Sequence, residues 1–205
     1  MSRSMGRKKI RIGVMGCASI AQRYMIQAIL DTSDLELAAV ASRTLDKAKV
    51  CTDRFGGEAI EGYENLLNRT DIDAVYVPLP TGMHEQWILL ALQKGKHVFA
   101  EKSLAMNVAS ARRMLDLAAE KKRVLMEDFM YRYHRQHRFV FEQLQQGVIG
   151  ELRMVRSYFA FPPLDPNNFR YNKDLGGGAI LDAAAYPVNA SRWFLGNDLE
   201  VGYAA

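Results

Sequence analysis

The chain has 205 residues, of which 49% are hydrophobic and 24% are charged, as in an ordinary soluble globular protein. A chain of this length can bury one large core or two small ones. No apolar run in the sequence approaches the roughly 18 residues needed to cross a bilayer. The net charge of +4 comes largely from basic residues near the start of the chain, so it is poor evidence for a nucleic acid partner. Cys17 and Cys51 lack the spacing of a zinc site or a disulfide framework. We therefore expect a cytoplasmic protein with no metal, no membrane contact and no nucleic acid partner.

A short strand followed by a glycine turn opens the predicted fold. Apolar residues alternate over residues 10–14, the pattern breaks at Gly16, and a helical pattern follows over residues 22–30. A strand that ends in glycine lets backbone N–H groups approach a diphosphate, and the next helix presents a partial positive charge to it. The dinucleotide fingerprint would have glycine at Ala18, so the match is imperfect, and an ordinary turn is the alternative interpretation. The expected cofactor contacts in this turn are Gly16, Cys17, Ala18, Ser19 and Ile20.

Strand and helix patterns alternate through the first 128 residues. Nearly continuous apolar runs predict buried strands, and the segments between them have helical periodicity. Repeated βα units predict an α/β fold with a doubly wound parallel sheet, the Rossmann arrangement. Strands are expected at residues 35–41, 72–77, 97–100 and 124–126, and helices at residues 45–55, 63–68, 83–93 and 108–121. We expect residues 1–128 to form one dinucleotide-binding domain.

The pattern changes near Phe129, which predicts a second domain over residues 129–205. A helix is expected at residues 136–146, and residues 152–161 alternate apolar and polar residues as a half-buried strand does. One strand and one further helix are too little to bury both faces of a sheet. We therefore expect an incomplete α+β domain, in a fragment or in a protein that another chain completes.

Two further features of this region bear on function. Three glycines at residues 176–178 open a helix that carries Asp182 and Tyr186, four residues apart and hence on one face. A basic run interleaved with aromatic residues could stack nucleic acid bases, although a solvated basic helix face is the commoner reason for such a run. The run contains Arg132, His134, Arg135, His137 and Arg138, with Tyr131, Tyr133 and Phe139 between them.

The residue after the second strand of a Rossmann sheet normally meets the adenosine ribose. An acidic side chain at that position favours NAD, whereas an arginine accommodates the 2′-phosphate of NADP. This chain has Ser42 and Arg43 there. A guanidinium can bind a phosphate through two hydrogen bonds, and a serine hydroxyl can donate another. We therefore predict that NADP(H) is preferred over NAD(H), with helix capping as the alternative role of the two residues.

Two other strand ends reach the same edge of the sheet, where ligands bind in such folds. The prolines that follow residues 72–77 stiffen this edge, and His84, one helical turn later, could face the cofactor or simply occupy the start of a helix. Lys102, after residues 97–100, places an ammonium group beside the nicotinamide half of a dinucleotide, although an exposed ion pair is an equally simple interpretation. The candidate cofactor contacts of these two segments are Pro78, Leu79, Thr81, His84, Glu101 and Lys102.

These residues resemble the glucose-fructose oxidoreductase and inositol dehydrogenase family, Gfo/Idh/MocA. The resemblance covers essentially the whole chain, through residues 11–21, the Glu101-Lys102 pair and residues 176–182 with Tyr186. The turn at residues 16–19, together with the Ala-Ser-Arg and Tyr-Val-Pro-Leu-Pro runs, is most similar to NADPH-dependent sugar-nucleotide 3-ketoreductases. Dihydrodiol and xylose dehydrogenases are similar enough to stay open as alternatives.

The resemblance implies hydride transfer between a nicotinamide and a carbon of a sugar or sugar nucleotide. It matches the family's lysine to Lys102, its aspartate to Asp182 and its histidine or tyrosine to Tyr186. In this interpretation Tyr186 is the general acid, Lys102 stabilises the developing negative charge, and Asp182 orients the pair or a sugar hydroxyl. Arg170 and Tyr171 are candidate substrate contacts, together with Asp182 and Tyr186.

The chain departs from the family pattern in two ways. Ser103 stands where the family usually has proline after the lysine, and family members continue further, with a large open sheet that closes the substrate site and often forms a dimer face. We therefore expect a carboxy-terminally truncated chain, and a homo-oligomer where the full sheet is present. The alternative from another functional class is a non-catalytic dinucleotide-binding module or an inactive fragment of such an enzyme.

Overall fold

A computed structural model describes residues 8–196 and 198–203 of the chain. The chain divides between Asp128 and Phe129 into two compact units, called here the first unit and the second unit. The first unit contains a six-stranded sheet in the order β3-β2-β1-β4-β5-β6, and every neighbouring pair is parallel. The strands are β1 Ile10–Met15, β2 Leu35–Ser42, β3 Glu58–Glu61, β4 Ala74–Val77, β5 His97–Glu101 and β6 Leu125–Asp128. The predicted doubly wound α/β fold is confirmed.

Helices connect the strands of the first unit. The helix that follows β1 begins as a π-helical turn, Ala21–Met25, and continues as α1, Ile26–Asp31. The other helices are α2 Leu45–Phe55, α3 Tyr63–Leu67, α4 Thr81–Gln93 and α5 Val108–Glu120. Asn107 caps α5, since its side chain accepts a hydrogen bond from the Ser110 N–H at 2.9 Å, and Gly56 ends α2 with a positive φ of 83°.

The strand β3 was not predicted from the sequence. This strand has only four residues, with an exposed glutamate at each end, and it lies at the edge of the sheet, where it pairs with β2. Such a segment has too few apolar residues to stand out in a sequence. Its strand conformation depends on the backbone hydrogen bonds that β2 offers, which is a tertiary contribution.

The core of the first unit lies on the two faces of the sheet, because successive strand residues point to opposite sides. Val14, Val40 and Tyr76 pack on one face with α1 and with Cys51 of α2. On the other face, Met15 joins a cluster formed with α3, α4 and α5. Eight side chains of that cluster are at most 2% exposed: Ala41, Val75, Val77 and Val98 from the strands, and Leu66, Ile88, Leu92 and Met114 from the helices. This packing on both faces holds the strand ends in fixed positions.

Helices and turns make up the regular structure of the second unit. Phe141 of α6 stacks with Trp193 of α7 at a centroid distance of 6.1 Å, and the Tyr131 hydroxyl donates to Asn189 Oδ1 at 2.6 Å. The first contact packs α6 on α7, and the second joins α7 to the 3₁₀ turn that precedes α6. The elements are α6 Arg135–Gln145, α7 Ala185–Leu195, a π-helical turn Ile180–Ala184, and 3₁₀ turns Met130–Tyr133, Phe169–Tyr171 and Lys173–Leu175.

The strand predicted at residues 152–161 is wrong. Within the described residues of the second unit, no segment pairs as a β-strand, and most side chains of residues 152–161 are exposed. Alternating residues form a strand only when a neighbouring strand takes up the backbone hydrogen bonds and one face is buried. The described part of this unit offers neither condition.

None of the helices in the described part of the chain has the length and apolar character needed to cross a membrane.

Candidate active site

The turn after β1 lies at the carboxyl edge of the sheet, beside the point where the strand order reverses between β1 and β4. Gly16 has a φ of 109°, and a Cβ built on it would lie 3.3 Å from the Leu79 side chain and 3.6 Å from the Tyr63 hydroxyl. Its N–H donates to the Ala41 carbonyl at 2.7 Å, and Gln22 Nε2 donates to the Cys17 carbonyl at 2.8 Å. The positive φ favours glycine at this position. The turn is consequently fixed and open to a close backbone approach.

The helix that follows this turn presents its amino end to the same edge. The first four N–H groups of a helix have no intrahelical acceptor, and here the helical hydrogen bonds begin with Gln22 N–H to the Ala18 carbonyl at 3.1 Å. Ala18, Ser19 and Ile20 thus lie where backbone N–H groups are available to an anion. A π-helical turn begins directly afterwards, at Ala21. Such turns occur frequently at functional sites.

Ser42 and Arg43 lie at the neighbouring strand end. Ser42 closes β2, is 5% exposed, and accepts a hydrogen bond from Gly62 N–H through its carbonyl at 2.7 Å. Arg43 is exposed, and no described carboxylate forms an ion pair with it. Burial raises the pKa of Tyr63, and the positive charge of the Arg43 guanidinium opposes that rise, which places Arg43 near Tyr63. The turn, the helix amino end and this cation together suit a dinucleotide that carries a 2′-phosphate.

His84 joins two loops of this edge. Pro78 and Leu79 follow β4 and are buried, and Thr81 begins α4. His84 is 0% exposed, with Nε2 2.7 Å from the Leu79 carbonyl oxygen and Nδ1 3.2 Å from the Leu104 carbonyl oxygen. Burial lowers the pKa of His84. With both ring nitrogens engaged by the backbone, His84 has the geometry of a positioning residue rather than of the direct cofactor contact that we expected.

Two acidic side chains meet at the ends of β5 and β6. Glu101 and Asp128 are paired in the parallel register, so their side chains share one face, and Tyr76 on that face donates its hydroxyl to Glu101 Oε1 at 2.5 Å. Asp128 is 3% exposed, and its Oδ2 has no hydrogen-bond partner in the described part of the chain. Burial, and then the neighbouring Glu101, raise the pKa of Asp128 to about 7, and burial also raises the pKa of Glu101.

Asp128 was not among the site residues predicted from the sequence. The signal that could have found it is an acidic residue at the end of each of two adjacent strands, Glu101 and Asp128. That signal becomes visible only when the strands are aligned in register, and the last strand was predicted to stop before Asp128.

Lys102 follows this acidic pair directly and is partly buried. Burial raises the pKa values of Glu101 and Glu127, and the positive charge of Lys102 opposes both rises, which places its ammonium group near both carboxylates. Glu127 Oε1 also accepts a hydrogen bond from Leu104 N–H at 2.7 Å, and the Lys102–Ser103 peptide bond is cis. The segment after β5 is therefore held by β6 and by His84 on α4.

The second unit brings together two of the predicted substrate residues. Arg170 Nε donates to Asp182 Oδ2 at 2.7 Å, and the side chain of Asp182 is 14% exposed. Arg170 also lies over the Phe169 ring, 4.7 Å from its centroid. Tyr171 is 56% exposed, and its hydroxyl accepts a hydrogen bond from Leu164 N–H at 3.0 Å. Arg170 and Asp182 are consequently a preformed pair, while Tyr171 contacts the backbone at Leu164.

Tyr186 lies on α7 within a group of aromatic rings. Its ring centroid is 4.7 Å from that of Phe159, 5.9 Å from that of Phe129 and 6.0 Å from that of Tyr131. The π-helical turn that contains Asp182 leads directly into this helix. The rings restrict the orientation of the phenol, which a positioned proton donor requires.

Two family profiles match almost the whole chain. The profile described as an oxidoreductase family with an NAD-binding Rossmann fold matches residues 10–129, and the GFO/IDH/MocA C-terminal domain matches residues 137–205. The chain belongs to the GFO/IDH/MocA family. The resemblance inferred from the glycine turn, the Glu101-Lys102 pair and the Asp182 region is therefore confirmed.

Individual members of the GFO/IDH/MocA family are similar over nearly the full chain. A dTDP-3,4-didehydro-2,6-dideoxy-alpha-D-glucose 3-reductase from Actinomadura kijaniata is 50% identical over 191 residues, which are 93% of this chain and 58% of that enzyme. The D-xylose 1-dehydrogenase (NADP(+)) 2 of Haloferax volcanii is 37% identical, covering 90% of this chain and 57% of that enzyme. The crystal structure of KijD10, a 3-ketoreductase from Actinomadura kijaniata in complex with NADP and TDP-benzene, has a TM-score of 0.92 at 49% identity, covering 94% and 59% of the two chains. The chain thus spans less than two thirds of the length of these relatives.

Within the described residues, no group of three or more histidine, cysteine, aspartate or glutamate side chains is arranged to hold a metal ion.

Proposed function

We propose that this protein is an NADP(H)-dependent oxidoreductase that transfers a hydride between nicotinamide and a carbonyl or hydroxyl carbon of a sugar nucleotide. The observation that carries the proposal is the convergence of the Gly16 turn, Arg43 and the Glu101-Lys102 pair at one edge of a Rossmann sheet. Two relatives support the choice of cofactor and substrate class: a dTDP-sugar 3-reductase that is 50% identical, and a 3-ketoreductase in complex with NADP and TDP-benzene that is 49% identical. The xylose and dihydrodiol dehydrogenases among the relatives are the alternative substrate classes.

The proposed cofactor site uses backbone groups for the diphosphate and side chains for the rest. The N–H groups of residues 17–20 face the diphosphate, where helix ends favour negative charge. Arg43 binds the 2′-phosphate through its planar guanidinium, and Ser42 lies beside it at the end of β2. The loop formed by Pro78 and Leu79 forms the wall opposite the turn, because Leu79 packs on Gly16.

The bound nicotinamide supplies or accepts the hydride, and the protein supplies the proton and the charge stabilisation. In the reductive direction, Tyr186 donates its phenolic proton to the oxygen of the former carbonyl group. Lys102 stabilises negative charge on that oxygen as it develops, and its two carboxylate neighbours keep the ammonium group oriented. Asp182 orients a sugar hydroxyl, and it is itself held by Arg170.

We assign different tasks to the two units as part of the proposal. Residues 1–128 bind NADP(H), and residues 129–205 contribute substrate contacts, including Arg170 and Tyr171, and part of an oligomer interface. A homo-oligomer and a cytoplasmic location remain predictions from the sequence.

The cofactor assignment is tested by calorimetric titration of the chain with NADPH and NADH. Arg43→Ala should weaken NADPH binding by about 10- to 100-fold, the value of one or two charge-assisted hydrogen bonds, and should change NADH binding far less. Arg112→Ala, an exposed arginine on α5, is the matched control and should leave both affinities unchanged. An equal loss of affinity for both dinucleotides in Arg43→Ala would contradict the 2′-phosphate assignment.

The catalytic assignment is tested by following NADPH consumption with a dTDP-linked 3-keto sugar. Tyr186→Phe should lower turnover by about 10²- to 10⁴-fold while NADPH affinity is retained, because only the proton donor is lost. Turnover equal to that of the unmodified protein would remove Tyr186 from the mechanism. Binding of NADPH without hydride transfer to any ketosugar would instead favour the non-catalytic dinucleotide-binding module.

A further inference from the structure

Cys17, in the turn after β1, contacts α2, the helix that carries Cys51. Cys17 Sγ donates to the Lys47 carbonyl at 3.3 Å. Lys47 and Cys51 are four residues apart in α2, so this carbonyl is the one that an α-helix presents to the Cys51 N–H. Cys17 also packs against the apolar cluster to which Cys51 belongs. The Cys17 thiol therefore rests on the turn of α2 that carries Cys51.

The two thiols have different surroundings. Cys51 is 1% exposed, whereas Cys17 is partly exposed, and neither is in a disulfide. Three neighbours stabilise a Cys17 thiolate: the Cys51 thiol as a hydrogen-bond donor, the Ser42 hydroxyl as another, and the positive charge of Lys47. The hydrogen bond from Cys51 is the largest of these effects. Together with Ser42 and Lys47 it outweighs burial, which acts in the opposite direction, and the pKa of Cys17 is lowered to about 7. The same contact and burial raise the pKa of Cys51.

We propose that Cys17 is an oxidant-sensitive thiol and that Cys51 is its resolving partner. The Cys17 thiolate attacks hydrogen peroxide, which breaks the O–O bond, forms a sulfenic acid on Cys17 and, after a proton is taken up, releases one water. The Cys51 sulfur then attacks the sulfenic sulfur, forming the S–S bond and releasing a second water. In total, the two thiols lose two electrons, and these electrons reduce one molecule of hydrogen peroxide to two waters.

The position of Cys17 connects this chemistry to the cofactor. Cys17 follows Gly16 in the turn whose N–H groups we assign to the diphosphate, so a bond from Cys17 to α2 would constrain the turn, and a bound dinucleotide would cover the thiol. This consequence depends on the proposed function, whereas the thiol chemistry does not. Thiol oxidation and cofactor protection are therefore measured separately.

The first experiment measures oxidation of the whole chain by hydrogen peroxide. The expected result is loss of both free thiols, with non-reducing peptide mapping showing a bond between Cys17 and Cys51 within one chain. Cys51→Ala should stop at a sulfenic acid on Cys17 that dimedone traps, and Cys17→Ser should keep its remaining thiol reduced. Two free thiols after treatment, or a bond between chains only, would overturn the proposal.

The second experiment measures the pH dependence of Cys17 alkylation by iodoacetamide, which keeps the proposal testable even if a variant folds poorly. In the unmodified protein the midpoint should lie near pH 7. In Cys51→Ala it should move toward the value of a free cysteine, about 8.5, because a hydrogen-bond donor is lost. A midpoint near 8.5 in the unmodified protein would contradict the thiolate assignment.

A third arm adds NADPH before the peroxide. Slower oxidation of Cys17 supports both proposals. If oxidation to the Cys17–Cys51 bond proceeds at the same rate with NADPH present, the thiol proposal stands, and the dinucleotide placement at this turn is refuted.

Discussion

Replacing Asp128 by asparagine tests the acidic pair at the ends of β5 and β6. Asp128 is 3% exposed, stands beside Glu101 in the parallel register, and has one oxygen without a partner among the described residues. Its ionised form is therefore disfavoured by burial and by a neighbouring carboxylate. Asparagine keeps nearly the same volume and stays neutral at every pH, so it removes only the cost of ionisation.

The sign and size of the effect follow from linkage. The pKa of Asp128 rises from 3.8 in the reference state to about 7 in the folded protein. Between these values the folded state binds more protons than the unfolded state, so the free energy of unfolding falls as pH rises from about 4 to about 7. Three pKa units correspond to an upper limit of about 4 kcal/mol. Part of this is shared with Glu101, so we expect Asp128→Asn to be more stable than the unmodified protein by about 1 to 4 kcal/mol at pH 8 and nearly equal at pH 4.

The assay is urea unfolding followed by circular dichroism across this pH range. Asp53→Asn, on an exposed position of α2, provides the same chemical change without burial. Parallel stability curves for Asp128→Asn and the unmodified protein across this pH range would refute the argument.

Two further predictions concern packing. Lys96 is 5% exposed, and its ammonium group donates to the Ile72 carbonyl at 2.8 Å and to the Arg69 carbonyl. Lys96→Met leaves these two buried acceptors unpaired, so it should lower the free energy of unfolding, measured by urea titration, by about 2 to 5 kcal/mol. Lys94→Met, on an exposed neighbour, should change it by less than about 0.5 kcal/mol, and equal effects would remove the buried hydrogen bonds from the explanation. A Cβ on Gly177 would overlap the Arg170 carbonyl and lie 2.7 Å from the Asn172 oxygen, so Gly177→Ala should disrupt the turn that carries Arg170 and make the second unit sensitive to limited proteolysis. Gly202→Ala, where a Cβ meets nothing within 4 Å, should resemble the unmodified protein; resistance of Gly177→Ala to the protease would contradict the predicted clash.

Local pattern was sufficient for most of the first unit because its strands are buried on both faces. Runs such as Val75 to Val77 have little polar content, and only a parallel sheet covered by helices accommodates several of them in alternation with helices. The pattern was insufficient for β3, whose four residues depend on β2 for their hydrogen bonds. It was misleading at residues 152–161, where alternation is present but no partner strand occurs in the described part of the second unit.

The candidate site divides in the same way. Gly16, Arg43 and Lys102 each come directly after a strand of the Rossmann sheet, so their position in the sequence was enough to select them as candidate site residues. The same approach predicted His84 as a cofactor contact, although its ring is buried between two backbone carbonyls. A histidine one turn into a helix looks the same in a sequence whether it faces a ligand or the interior.

The sequence by itself determined the parallel sheet and the family to which the chain belongs, and it predicted a ligand site at the carboxyl edge of that sheet. Hydrophobic periodicity and the residues at strand ends are local properties, so they can be recognised from neighbouring residues in the sequence. Only the tertiary structure decided that Asp128 adjoins Glu101 and that Cys17 contacts the turn of α2 that carries Cys51. Each pair joins residues far apart in the chain, and the electrostatic effect of one on the other arises from strand register and helix packing, which no local pattern encodes.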